Sequence, residues 1–166
     1  MCISIISVQY QVSNVKEDYI QAKKKAFALL ARREHSVEEL KTKLSLKGYG
    51  ERLLNDVLAD LIHENYLSDE RYVEMMFRYH FGRGQGPRKI ISLIQQASVE
   101  GGLIQQIYQH FEGDWFQSAA HERQKKFGTW QGGLEEKRKQ ARFLLGRGFE
   151  FDHVEAAFTE QACHKV

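Results

Sequence analysis

From Lys16 onward, apolar residues recur at steps of three and four, the period of a helix with one buried face. Ala26, Phe27, Leu29 and Leu30 form one such run, and Val37, Leu40 and Leu44 form the next. The pattern predicts nine helices, near 17–34, 37–47, 51–64, 69–82, 87–97, 102–112, 114–127, 135–146 and 152–163. Start signals agree with these bounds. Ser36-Val37-Glu38-Glu39 has capping-box form, Ser68 precedes the acidic pair Asp69-Glu70, and Asp152-His153-Val154-Glu155 repeats the box with Asp. Gly86-Pro87 puts a proline at a first helical position, where its missing N–H costs nothing. Stops are expected at Gly48, Gly101-Gly102, Gly128 and Gly148, glycines suited to a left-handed cap. The opening segment breaks the pattern. Met1 to Val12 is apolar and β-branched, without the early Lys or Arg of a signal peptide, and residues 1–15 are read as an N-terminal extension, either disordered or a short strand.

Shifting the chain by fifty positions lays it on itself. Phe27, Phe77 and Phe127 share a register, as do Leu44, Ile94 and Leu144, then Leu54, Ile104 and Val154, then Leu58, Tyr108 and Phe158. Ser36 falls on Gly86, both at helix starts, and Gly48-Tyr49 falls on Gly148-Phe149, with Ser98-Val99 between. The expected fold is therefore all-α, with three tandem three-helix repeats over 16–67, 68–112 and 113–163 stacked into an elongated curved body. A unit of this size buries little core alone, so the copies should stabilise one another.

Composition narrows the class. The chain has 166 residues, one proline, 24 Lys+Arg and 22 Asp+Glu, which suits a globular helical protein rather than a disordered or loop-rich all-β one. No apolar run approaches the ~20 residues needed to cross a bilayer. Two cysteines, Cys2 and Cys163, do not make a disulfide framework, so a reducing cytoplasm is the expected location.

The net charge of +2 conceals segregation. Residues 16–47 carry nine basic and five acidic side chains, residues 50–70 one and six, residues 71–89 five and one, and residues 114–149 eight and four. Runs such as Lys23-Lys24-Lys25 and Lys137-Arg138-Lys139 read individually as solvated helix faces, but together they permit several phosphate contacts. The aromatics beside basic residues, as in Arg71-Tyr72, Arg78-Tyr79 and Lys126-Phe127, read as core at helical spacing rather than as base-stacking platforms.

Catalytic motifs are absent. No two of the seven histidines have the H-E-x-x-H spacing, there is no G-x-S-x-G elbow, and most histidines read as solvated helix-end residues. No enzyme activity, cofactor, metal or small-molecule substrate is expected. Gly82-Arg83-Gly84-Gln85-Gly86-Pro87-Arg88-Lys89 lacks the spacing of a phosphate-binding P-loop and reads as a flexible linker; its basic residues make it a contact point for an acidic surface or a phosphate backbone.

Several strings in order resemble the RecX family, regulators of the bacterial recombinase RecA. They are Asn65-Tyr66-Leu67-Ser68-Asp69-Glu70-Arg71-Tyr72, Gly84-Gln85-Gly86-Pro87-Arg88-Lys89-Ile90, Lys125-Lys126-Phe127-Gly128, and Arg142-Phe143-Leu144-Leu145-Gly146-Arg147-Gly148-Phe149. Asn65 stands where the family has glycine, a change a left-handed turn accepts, and Gln95 to Gly102 departs from the family's lysine-glycine turn. The resemblance implies a protein that docks on the RecA filament and dampens strand exchange, ATP hydrolysis and the co-protease activity of the SOS response, with single- or double-stranded DNA as a further partner through basic patches. The contact candidates are Arg71, Arg78, Arg83, Arg88, Lys89, Lys125, Lys126, Arg142 and Arg147. The alternative is a direct DNA-binding regulator built from helix-turn-helix-like units, against which the acidic third helix of the first repeat argues.

Overall fold

Two of the four sets of residues that share a register fifty positions apart are buried throughout. Leu44, Ile94 and Leu144 are fully enclosed, as are Leu54, Ile104 and Val154. The structure, a computed structural model, describes residues 3–129 and 132–159, with side chains from Lys16 onward. Cys2, Cys163 and the end of the last expected helix lie outside the described residues. The described residues form α1 (Ile3–Leu30), α2 (Val37–Ser45), α3 (Glu51–His63), α4 (Asp69–Phe81), α5 (Pro87–Gln95), α6 (Gly101–His110), α7 (Trp115–Phe127), α8 (Leu134–Gly146) and α9 (Phe151–Ala156), with no strand among them. The protein is all-α and built from three-helix repeats.

The chain divides into two compact units, residues 1–72 with 97–99, and residues 73–96 with 100–166. In the first unit α1, α2 and α3 pack on one another around Ala22, Ala26, Leu40, Leu44, Leu54, Val57, Leu58 and Leu61. The small alanines of α1 let the larger side chains of α2 and α3 approach its axis closely. In the second unit α7, α8 and α9 make the same three-way packing, and α5 packs on α6. Its core is aromatic. Phe77 stacks on Tyr108 at 5.9 Å between centroids and meets Phe111 at 5.5 Å, while Trp115 stands edge-on to Phe81 at 4.9 Å.

Helix starts follow the capping chemistry. Ser36 Oγ accepts the Glu39 N–H at 3.0 Å, and Asp69 Oδ1 accepts the Val37 N–H at 2.8 Å, so α2 begins with two of its orphan donors satisfied. Asp114 caps α7 through the Gln117 N–H. Pro87 occupies the start of α5, as expected. Asn65 and Ser98 adopt positive φ (59° and 57°), Asn65 at the turn where its residue type predicted it. Ser98 takes the conformation that Gly48 and Gly148 (both φ 91°) hold at the other two turns.

Three expectations are corrected. Residues 3–15, read as a strand or disordered extension, are the first turns of α1, because β-branched content is a weak bias that a continuing helix overrides. Gly101-Gly102 opens α6 instead of closing α5, since Ser98 already provides the reversal and Glu100 the cap position. α9 starts one residue early, at Phe151, and its cap lies two residues before the expected Asp152. Glu150 is its cap, and the His153 ring accepts the Glu150 N–H in return, completing a capping box with His at the third position.

The tightest backbone approach lies at Gly86. A Cβ there would sit 2.2 Å from the Phe149 nitrogen and 2.3 Å from the Gly148 carbonyl carbon, both main-chain atoms held by helix ends. Gly86→Ala should therefore cost more than ~2 kcal/mol in urea denaturation, whereas Gly50→Ala, with no atom within 4 Å of the new methyl, should cost less than ~1 kcal/mol.

Candidate partner interface

Arg147 stands at the C-cap of α8 on the turn into α9, and its guanidinium folds back onto another part of the second unit. Nε donates to Gly84 O at 2.7 Å, and Nη2 donates to Arg83 O at 2.6 Å while pairing with Glu122 Oε2 at 3.0 Å. The main chain joins the same contact. Gly86 N–H donates to Arg147 O at 2.9 Å and Arg88 N–H to Gly148 O at 3.1 Å. The segment expected as a flexible linker is thus pinned, link against turn, with Gly84 at φ 66° and its α-carbon facing the Glu122 carboxyl so closely that no Cβ would fit.

This contact gathers part of the predicted set. Arg83, Arg88, Lys89 and Arg147 belong to the two segments that meet, and Lys89 lies against Gly148. Lys126 joins through Phe143, whose ring has Lys126 Nζ at 4.6 Å and Arg147 Cζ at 5.5 Å from its centroid. Arg83 lies over the exposed Tyr79 ring at 5.2 Å and donates to its hydroxyl. Arg88, Lys89, Lys125 and Arg142 are exposed, and no other described residue pairs with their charged groups. Arg78 is exposed on α4 and pairs with Glu74 at 3.3 Å.

Arg71 is not part of this group. In the first unit its Nε donates to Glu34 Oε1 at 2.9 Å, Nη1 to Asn65 Oδ1 at 2.8 Å and Nη2 to Asn65 O at 3.1 Å. It clamps the left-handed turn at Asn65. Arg71 and Arg147 therefore spend their donors on the chain itself, while five of the nine predicted cations (Arg88, Lys89, Lys125, Lys126 and Arg142) present theirs outward.

Two kinds of polar residue escaped the sequence reading. Arg123 is only 1% exposed. Its Nε donates to Ala157 O at 2.8 Å, at the negative end of α9, and its Cζ lies 5.5 Å from the Phe158 centroid. Its position on the stripe of Ala119, Ala120 and Phe127 is the signal that could have found it. Among the histidines, His35 and His153 are buried, contrary to the expectation of solvated helix ends. His35 Nδ1 donates to Arg33 O at 3.0 Å and Nε2 accepts from Lys43 Nζ at 3.0 Å, which fixes the neutral ring. Beside it, Arg33 and Lys43 hold the Glu39 carboxyl down at about 2 against its burial. No group of three or more His, Cys, Asp or Glu among the described residues is placed to hold a metal ion, and no described helix is long and apolar enough to cross a membrane.

The chain matches the model of the first RecX three-helix domain over residues 22–61 and that of the third over residues 112–158. It is 33% identical over 144 residues to the regulatory protein RecX of Vibrio vulnificus, covering 86% of this chain and 94% of that one. It is 38% identical over 133 residues to the regulatory protein RecX of Halorhodospira halophila, covering 80% and 83%. The crystal structure of RecX from Lactobacillus salivarius superposes with a TM-score of 0.73 at 16% identity, covering 86% of this chain and 95% of that one, a likeness of fold.

Arg71→Ala and Arg147→Ala should each lose ~1–3 kcal/mol of stability, from charge-assisted bonds removed and acceptors left unpaired. Arg88→Ala and Lys125→Ala should stay within ~0.5 kcal/mol, and urea midpoints separate the two classes. Burial pushes the pKa of His153 below the ordinary 6.5, with Glu150, Asp152 and Asp114 opposing the shift. A folded value below the unfolded one means its contribution is complete above pH 6.5 and is lost as pH falls through that value toward the lower folded one. His153→Gln should flatten the pH dependence of the thermal midpoint in that window.

Proposed function

The chain belongs to the RecX family, and from that premise we propose that it is a non-catalytic regulator of the RecA recombinase, docking on the RecA filament and dampening strand exchange, ATP hydrolysis and the SOS co-protease activity. The observation that carries the reading is the second unit's basic face, where Arg83, Arg88, Lys89 and Lys126 surround a rigid link-on-turn contact. Charges on a fixed frame lose less side-chain and backbone freedom on binding than charges on a mobile loop. A partner that is partly protein and partly phosphate suits them, and DNA within the filament supplies the phosphate.

The direct DNA-binding reading places the third helix of a three-helix unit in the major groove. α3 of the first unit carries exposed Glu51, Asp56 and Asp60 with exposed Glu64 at its C-cap, against Arg52 as its one Lys or Arg, a balance that phosphates do not favour. That favours the filament over bare duplex.

The test is RecA's ATP hydrolysis on single-stranded DNA. Stoichiometric addition of the protein should slow it, and no effect at saturation would sink the proposal. The double variant Arg88→Glu with Lys89→Glu should need at least ~10-fold more protein for half-inhibition, an effect that narrows as salt rises.

A further inference from the structure

The fold treats the aromatic residues that follow a cation in different ways. Tyr72 is 5% exposed and belongs to the core, and Phe127 is half-buried, edge-on to Phe143 at 5.3 Å between centroids. Tyr79 is 52% exposed on α4. Tyr66, Phe116 and Phe151 are exposed too, but acids stand beside them along the chain. Glu64 and Asp114 lie two residues before Tyr66 and Phe116, and Glu150 and Asp152 flank Phe151. Tyr79 instead has Arg78 before it and Arg83 one turn on. Of the acids of α4, Asp69 and Glu70 are in the first turn and Glu74 is paired with Arg78.

The Tyr79 ring is held in place. His80 stands edge-on to it at 5.0 Å between centroids, and Arg83 donates to its hydroxyl with Cζ 5.2 Å from its centroid. Both neighbours are tied to the α4–α5 link. His80 Nδ1 donates to Gln85 Oε1 at 2.7 Å, and His80 O accepts the N–H groups of Arg83 and Gln85 at 3.1 Å each. The same link leads into α5, where Arg88 and Lys89 are exposed in the first turn. An exposed ring and exposed cations therefore share one folded-back segment of the second unit. A ring already ordered loses little freedom when a partner covers it.

We infer that Tyr79 is a base-stacking residue and that the face around it takes single-stranded DNA, one base lying on the ring and phosphates of the same strand meeting Arg83, Arg88 and Lys89. Every base has a π-face, so the ring adds affinity without reading sequence, and the guanidinium beside it adds a cation–π contribution. In a duplex those faces are covered by neighbouring bases, so only an unpaired strand can use the ring. The inference rests on the reading of this face as one that meets the DNA of a recombinase filament. It adds that the strand is held through a base as well as through its backbone.

Fluorescence anisotropy without RecA tests this with a short labelled oligothymidine, an abasic strand carrying as many phosphates, and a duplex. The wild-type chain should bind oligothymidine at least ~10-fold more tightly than the abasic strand. Tyr79→Ala should lower oligothymidine affinity to the abasic level and leave abasic and duplex affinities unchanged, while Tyr79→Trp should keep the preference. Tyr79 is exposed, so circular dichroism should show both variants folded, and the wild-type comparison of the two strands needs neither. Arg88→Ala should weaken both single strands alike and reduce the salt slope by ~0.7. Absence of binding, equal affinity of the wild type for the two strands, or wild-type affinity of Tyr79→Ala for oligothymidine would each overturn the inference. Were Tyr79→Ala to keep its strand affinity but lose RecA inhibition, the ring would meet protein and the base contact would be overturned. RecA is absent from the binding assay, so the base contact and the inhibition of RecA can each fail alone.

Discussion

The contact between the entry of one helix and the turn of the next repeat governs much of this protein. Main-chain donors at a helix start are orphans that water or a cap must satisfy, and main-chain acceptors at a helix end are orphans too. Here each supplies the other across two repeats. Ser36 does both tasks, its Oγ accepting from Glu39 N–H and donating to Ala97 O. Gly86 has no side chain and does it with backbone alone, which brings the segments closer and leaves no room for a Cβ. A three-helix repeat of this size has a small core of its own, and within the second unit this contact ties the α4–α5 link to the α8–α9 turn.

That constraint divides the charged residues. Arg147 is held by three oxygens and Arg71 by three more, so their charge is committed to shaping a turn. Arg88 and Lys89 lie on a segment whose backbone is fixed by the same contact, and their side chains remain exposed. The second unit thus uses one cation to hold the frame and others to face outward. Arg123 adds a buried charge whose donors find Ala157 O and Gln140, so its desolvation is offset by the carbonyl end of α9 and by the Phe158 ring rather than by a carboxylate.

Hydrophobic period and cap residues sufficed to read the helices, their register and the fifty-residue repeat, because burial at Leu44, Ile94 and Leu144 is a local consequence of where those residues fall on a helix face. The roles of the arginines were not legible in the same way. Arg147 and Arg142 stand five residues apart in one basic stretch, yet one clamps a carbonyl 63 residues away and the other is exposed. No local pattern separates them, since the difference lies in what the fold brings alongside. The linker reading of Gly82 to Gly86 failed for the same reason. Glycines that look permissive in sequence are close-packing residues once a second backbone is present. His153 hid differently: its capping bond runs to Glu150, two residues before the Asp152 that the motif singled out.

The segregation of charge acquires a physical meaning from this division. Half of the acidic block of 50–70 lies on α3, and Asp60 there and Glu64 at its C-cap engage Lys23 and the Tyr19 hydroxyl of α1, so part of its charge serves the first unit's own packing. The basic block of 71–89 loses Arg71 to a turn and Arg78 to Glu74, and its exposed remainder is concentrated at the α4–α5 link. The net +2 therefore understates one surface and overstates others. A partner of uniform charge would gain little from the whole molecule. The proposed nucleoprotein filament would offer phosphate to the exposed cations of that link and protein to the rest of the second unit.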